Sequence, residues 1–324
     1  MPLVSIGIPT YNRAALLDRL LQNITHQTYK QIEIIISDNF SPDNMVSEVI
    51  KKYAESDLRI IAFRQKANLG LIANHQFVQD QSKGKYFMWA HDDDEFPENY
   101  VEVCVGYLQN NSGATLVGPS ADRYMDRDFW STYENWDSRG LNTYVRLKNL
   151  MEDAFVYHWR FEQYFSGLWL LALGPKKVSA DFKTLFYHFF VLSEAGELLH
   201  APELKLIKHT DQENIKRYST GELYRKHWLL KFFGWNNVES VQQCVPITLQ
   251  MLRTIIGSKR LNMKEKYKLI AQCVRLFVRY PIKDEFIRIK NKYNFKRIKR
   301  IPNWISRKFK SICGTILKSI ILNI

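Results

Sequence analysis

The sequence predicts an α/β protein built on a doubly wound, mostly parallel sheet flanked by helices. Three observations predict it. Short, nearly continuous apolar segments recur along residues 1–90, each except the last is followed by a segment of helical periodicity, and each apolar segment ends in polar residues. Strands buried on both faces and separated by helices pair in parallel, and such sheets place the ligand crevice beyond the strands' carboxyl ends.

Leu3 to Ile8 reads as the first strand, Pro9 to Arg13 as a loop, and Ala14 to Thr25 as a helix with apolar Leu16, Leu17, Leu20, Leu21 and Ile24. Ile32 to Ser37 is the second strand, followed by a turn from Asp38 to Asp43 and a helix from Asn44 to Glu55. Arg59 to Phe63 is the third strand, Asn68-Leu69-Gly70 a loop, and Leu71 to Gln81 a helix leading to a fourth strand, Lys85 to Ala90. Thr10, Asn12 and Arg13, then Asp38, then Asn68, then Asp92-Asp93-Asp94 therefore meet at one edge.

The triplet carries two readings. Three adjacent carboxylates repel one another, so a cation at the end of a buried strand offsets their charge. The alternative is a solvated acidic turn or a helix N-terminus, with Glu95 to Leu108 read as the helix. Arg13 and Asp38 beside the triplet suit a phosphate-bearing ligand. No G-x-G-x-x-G follows the first strand and no G-x-x-x-x-G-K-[ST] occurs, which disfavours dinucleotide enzymes and P-loop NTPases.

Composition narrows the class further. The 324 residues are 46% hydrophobic, ample for a sizeable core. Cys104, Cys244, Cys273 and Cys313 are scattered without CxxC spacing, which argues for a reducing compartment and against zinc or a disulfide framework. The N-terminal residues lack the pattern of a secretory signal, and no apolar run reaches the length of a spanning helix.

The net charge of +13 is concentrated at the end of the chain: residues 283–324 hold 12 Lys and Arg against two acids, whereas residues 1–282 hold 34 against 31. Ile305, Phe309, Ile312, Ile316 and Ile320 recur there at helical spacing among Arg307, Lys308, Lys310 and Lys318. That pattern suits an interfacial helix on an anionic membrane surface at the cytoplasmic face. A helix docked on its own domain is the alternative. Nucleic acid is not expected as a partner, because no reading motif accompanies the basic residues.

The motifs Val4 to Arg13, Ile34 to Ser41, Asn68-Leu69-Gly70 with Asn74, and Gly84 to Phe87 running into Asp92-Asp93-Asp94 occur in order over about the first 110 residues. On them the chain resembles a glycosyltransferase of family 2, with the GT-A fold. The resemblance implies a nucleotide-diphosphate-sugar donor, a UDP-sugar first, with Pro9, Thr10, Tyr11 and Arg13 near the nucleotide and Asp38 at the base. It extends the donor site to Asn68, Gly70 and Asn74. It makes Asp92, Asp93 and Asp94 the family's DXD motif, with Asp92 and Asp94 bracketing one residue to bind Mg2+ or Mn2+ against the diphosphate. Asp94 is the expected direct ligand.

Family 2 enzymes invert the anomeric centre, so the resemblance also implies a carboxylate base on the acceptor side, upstream of a Gly that precedes the last core strand. Gly196 matches that Gly, but Thr184 and Leu185 stand at the family's spacing. Asp181, opening a helix to Glu194, is the base expected here, or else the N-cap of that helix; Glu194 is the fallback. His209 stands where related sequences carry a His that touches diphosphate or metal, and a structural role is its alternative.

Of the aromatic residues from Trp130 to Trp169 most are expected in the core, with Trp130 and Trp136 the exposed ones near an acceptor loop. His91 reads as a strand-end cap. Glu222 to Trp235, Val245 to Ile256 and Lys264 to Tyr280 read as helices. The expected organisation is a GT-A domain over 1–215, split into a nucleotide-sugar half at 1–115 and an acceptor half at 116–215. A helical extension at 216–282 and the basic amphipathic tail at 283–324 follow.

The expected activity is metal-dependent, inverting sugar transfer to a glycan or lipid-linked glycan, in surface polysaccharide or glycolipid assembly. The alternative is a non-catalytic nucleotide-sugar or glycan-binding protein. A nucleotidyltransferase is disfavoured, since no Gly-rich basic loop follows the first strand.

Overall fold

The computed structural model describes residues 1–125, 128–133, 136–153, 167–174, 182–210 and 250–274. The chain forms two units, one of Met1–Asn142 with Tyr157–Gly221 and one of Thr143–Val156 with Glu222–Ile324.

In the first unit the alternation expected from the sequence is present: β1 (Val4–Thr10), α1 (Ala14–Thr25), β2 (Ile32–Asp38), α2 (Met45–Ala54), β3 (Ile60–Arg64), α3 (Leu71–Asp80) and β4 (Tyr86–Trp89). All of β2 is buried and β1 nearly so, as continuous apolar strands covered on both faces must be. Helix α1 buries Leu17, Leu20, Leu21 and Ile24 on one face; each such side chain contributes roughly 1.5–3 kcal/mol.

There follow β5 (Asp94–Glu95), α4 (Tyr100–Asn110), β6 (Ala114–Met125), β7 (Asp128–Tyr133), β8 (Leu168–Leu170), α6 (Phe182–Ala195) and β9 (Glu197–Thr210). Among the described residues the strands form one nine-stranded sheet in the order β3-β2-β1-β4-β8-β6-β9-β5, with β7 on β6. Strands β3, β2, β1 and β4 are mutually parallel, and β6 is parallel to β9. Strand β8 is antiparallel to both its neighbours, and β5 is antiparallel to β9. The sheet is α/β and mostly parallel in its first half, as expected.

The register aligns the strand ends. Thr10 pairs with Asp38 and Asp38 with Arg64, while Gly7 pairs with Trp89. One edge therefore receives the loops after β1, β2 and β4 together. Trp89, Phe87 and Trp169 stack inside at ring centroid separations of 5.1–5.5 Å, so Trp169 belongs to the core; Trp136 is half-buried and not an exposed residue.

One reading of the sequence is corrected. Glu95 does not open a helix, because Asp94 and Glu95 pair with Lys208 and Ile207 of β9 and Pro97 separates them from α4. A two-residue strand has no periodicity to read. Gly196 does precede β9: a Cβ there would lie 2.1 Å from the Gly113 carbonyl oxygen, which accepts the Glu197 N–H at 2.8 Å. Only glycine fits that approach.

In the second unit, α5 (Thr143–Asp153) and α7 (Met263–Val274) pack together, with Gln272 Nε2 donating to the Lys148 carbonyl at 3.2 Å. Leu147, Leu150, Met151, Leu269 and Cys273 are buried, as are Met251, Leu252 and Ile255 of the helical residues 250–257. Helix α5 comes from the stretch read as the acceptor half, which is thus divided between units. The segment Glu222–Trp235 and the tail 283–324 lie outside the described residues.

Candidate active site at the carboxyl edge

The loop after β1 is tied to the triplet. Arg13 Nη1 donates to Asp92 Oδ1 at 2.9 Å and lies 3.4 Å from Asp93 Oδ2, while Thr10 Oγ1 donates to Asp92 Oδ2 at 3.2 Å. Burial pushes the Asp92 carboxyl above its ordinary pKa, and Arg13 and Thr10 offset only part of that. Burial works against the Arg13 charge, but Asp92 and Asp93 outweigh it and hold the guanidinium above its ordinary value. The first aspartate is thus an anchor for the β1 loop.

Asp38 closes the neighbouring corner. Its Oδ1 accepts the Ser41 backbone N–H and hydroxyl, and the Ser41 hydroxyl oxygen accepts the Asn12 N–H at 2.9 Å. Asp38 Oδ2 lies 3.2 Å from Arg64 Nη1 and accepts no well-aligned hydrogen bond although it is buried. Asn12 and Phe40 both adopt left-handed backbone, at φ 55° and 66°, and Phe40 and Tyr11 stand exposed at this rim. Strain in non-glycine residues concentrates at binding sites.

Asn68 and Asn74 hold the rim from below. Asn68 Oδ1 accepts from Asn39 Nδ2 at 3.0 Å and from the Gly70 N–H at 2.8 Å. Asn74, buried, accepts the Ser37 hydroxyl at 2.6 Å and donates to the Ser37 carbonyl at 3.0 Å. Its polar atoms join α3 to β2.

Asp94 faces different partners. Its Oδ2 is buried, accepts no hydrogen bond, and lies 3.5 Å from both His91 Nδ1 and Lys208 Nζ. Burial disfavours the His91 charge, but the Asp94 carboxylate outweighs it and raises the His91 pKa. His91, when protonated, is therefore an ion-pair partner of Asp94 and not only a strand-end cap.

The resemblance implies a divalent cation here. Among the described residues no three His, Cys, Asp or Glu side chains are grouped to hold one. The buried, unbonded Asp94 oxygen nonetheless suits a cation that takes its remaining ligands from phosphate oxygens and water, as Mg2+ commonly does. The donor set fits through Asp94; Asp92 is already committed to Arg13 and Thr10.

The remaining expected residues are placed as follows. His209 Nε2 bonds Glu95 Oε1 at 2.6 Å, and Glu95 also pairs with Arg19 at 3.1 Å; what His209 brings to the triplet is its backbone N–H, 3.2 Å from the Asp93 carbonyl oxygen. Glu194 sits in the last turn of α6, before Gly196, at the amino end of β9. Lys208, near the opposite end, pairs with Asp94. Asp181 lies outside the described residues. Pro9 pairs with Ser37 in the β1–β2 ladder.

His75 gives this corner a pH-sensitive contact. Burial, with the neighbouring His91 ring 5.6 Å away, pushes its pKa down to about 4. A histidine held neutral in the fold contributes stability that is full above the unfolded value near 6.5 and is lost as pH falls toward 4. The cost reaches about 2 kcal/mol at pH 5. His91, with its pKa raised, acts in the opposite sense. We therefore expect His75→Gln to flatten the acid limb of a urea-unfolding stability profile relative to wild type, whereas parallel profiles would show that His75 titrates normally.

A mixed sheet of this order, parallel across β3-β2-β1-β4, with an acidic triplet and its arginine partner on the carboxyl edge, has the GT-A fold. The chain belongs to glycosyltransferase family 2, whose model, "Glycosyl transferase family 2", matches residues 5–167, about half of it. It is 36% identical over 96 residues to the GalNAc(5)-diNAcBac-PP-undecaprenol beta-1,3-glucosyltransferase of Campylobacter jejuni, covering 29% of this chain and 31% of that enzyme. It is 26% identical over 225 residues to the chondroitin synthase of Pasteurella multocida, covering 68% of this chain and 22% of the synthase. The chain thus spans under a third of the length of either relative. Among solved structures it is similar to S. aureus TarS 1–349 in complex with UDP-GlcNAc, at a TM-score of 0.57 and 12% identity, over 87% of this chain and 74% of that one. At that identity the likeness is one of fold.

Proposed function

We propose that the chain transfers a sugar from a nucleoside-diphosphate sugar, a UDP-sugar first, to a hydroxyl of a glycan or lipid-linked glycan, with inversion. The observation that carries this reading is the meeting of Arg13, Asp38 and Asp92–Asp94, from three separate loops, on one edge of the sheet. The relatives named in polymer and undecaprenol-linked glycan synthesis, and the UDP-GlcNAc bound by TarS, support the same class.

In this reading the unbonded Asp38 oxygen accepts from the base, Tyr11 and Phe40 flank it, and Asn68, Gly70 and Asn74 hold the rim. The C1–O bond to the diphosphate breaks as a C1–O bond to the acceptor forms, and the acceptor proton passes to Asp181. Asp94 would hold a divalent cation, which when bound would supply Lewis-acid stabilisation of the leaving diphosphate. Arg13 holds the β1 loop against the triplet, so the nucleotide loop and the acidic turn keep one geometry.

The place of work we assign is the inner membrane face, through the basic tail at 283–324, for surface polysaccharide or glycolipid assembly. Among the described residues no helix is long and apolar enough to cross a membrane. A non-catalytic donor-binding protein is the second reading, favoured by the pairing of the triplet with the chain's own Arg13, His91 and Lys208.

A panel of UDP-, GDP- and dTDP-sugars with Mn2+ tests both. The expected result is that one donor raises the melting temperature, since a ligand at 100 times its Kd stabilises by about 2.7 kcal/mol, and that free nucleotide is released on adding acceptor. Stabilisation without release in any acceptor mixture supports the second reading, and no stabilisation by any donor sinks both.

A further inference from the structure

Lys208 stands directly opposite Asp94 in the β5–β9 ladder, with its ammonium 3.5 Å from Asp94 Oδ2. Its side chain is only 13% exposed, which is unusual for the most solvent-seeking of residue types and calls for a charged partner. The next residue, His209, is turned to Glu95, so Lys208 alone of that pair faces the triplet. Arg13 neutralises Asp92 and Asp93 from one side, and Lys208 approaches Asp94 from the other.

A divalent cation bound through the buried Asp94 Oδ2 would compete with Lys208 for that oxygen. Two cations around one carboxylate oxygen repel strongly in so buried a place, so the lysine must yield. A flexible four-carbon stem carrying a point charge lets the ammonium move to a phosphate oxygen without disturbing the strand.

We propose that Lys208 is a diphosphate-binding residue of the donor site: it neutralises Asp94 when the site is empty and moves onto the diphosphate when the donor enters, sharing Asp94 with the divalent cation. The inference rests on the donor-site reading above. The chain then carries part of the positive charge the leaving diphosphate needs, and nucleotide binding keeps much of its strength without metal.

Calorimetric titration of UDP into the full chain, once in EDTA and once in Mn2+, tests this with wild type, Lys208→Gln and Lys208→Arg. We expect Lys208→Gln to weaken UDP binding about tenfold in EDTA, the scale of one charge-assisted contact. In Mn2+ the loss shrinks, because the metal takes Asp94 unopposed, and Lys208→Arg stays near wild type in EDTA. An unchanged affinity in EDTA, or an equal loss in both buffers, overturns the role.

A wild-type protein that binds no UDP in either buffer overturns the donor reading as well. Should Lys208→Gln fail to fold, amine labelling of wild type in EDTA decides. UDP is expected to protect Lys208, and unaltered labelling in saturating UDP overturns the proposal.

Discussion

Replacing Asp94 with asparagine is expected to remove the metal stimulation of donor binding and to lower sugar transfer on the order of 100- to 1000-fold. A cation that stabilises a developing diphosphate charge contributes several kcal/mol to the barrier, and each 1.36 kcal/mol is about tenfold in rate. Asp94 is the position where that loss should fall, because its buried Oδ2 accepts no hydrogen bond. Asp92 differs. Both its oxygens are occupied, by Arg13 and Thr10, so Asp92→Asn should act through the β1 loop and weaken UDP binding in EDTA and in Mn2+ alike. The asparagine at 94 keeps the side-chain shape, but it leaves Lys208 and His91 facing a neutral amide and some stability is lost with the ion pairs. UDP titrations with and without Mn2+, with nucleotide release alongside, separate the two variants. Metal stimulation that survives in Asp94→Asn would mean that the cation sits elsewhere.

The first half of the fold was legible because each of its strands is long enough to show its pattern. Ile32 to Ser37 is continuously apolar and wholly buried, and the polar residues that end β1 and β2 meet in register as Thr10 and Asp38. The pairing of Arg13 with Asp92 was not legible. Two side chains 79 positions apart meet only because β4 joins β1 in parallel. Lys208 was hidden for a related reason: its partner strand, Asp94–Glu95, has two residues and no repeat, so Glu95 read as the start of a helix. Helix α5 was not read from the sequence, and nothing there signals that it packs with Met263–Val274, since that choice of partner depends on contacts more than a hundred residues away.

For the base, Asp181→Asn is expected to lower turnover by about 10²–10⁴-fold, the range for loss of a general base, while leaving UDP binding intact. Glu194→Gln should leave turnover within about twofold of wild type, about 0.4 kcal/mol on the barrier, because Glu194 stands at the end of α6 remote from the triplet. The difference follows from α6 and β9. Glu194 lies one turn before the Gly196 junction, where β9 begins, and Lys208 meets Asp94 near the far end of that strand. At about 3.3 Å per residue, less for the irregularity after Ala201, this puts Glu194 on the order of 30 Å from the triplet. Helix α6 packs on β6 and β9, and a helix joined to a strand by one residue doubles back along it. Fourteen residues at about 1.5 Å each carry its start roughly 20 Å back toward the carboxyl edge. Asp181 precedes that start in the sequence, whereas Glu194 stands in the last turn at the other end. Full activity in Asp181→Asn, with nucleotide release unchanged across pH 6 to 9, would remove Asp181 from the reaction. A large loss in Glu194→Gln with normal folding would show that the acceptor approaches from the amino end of β9.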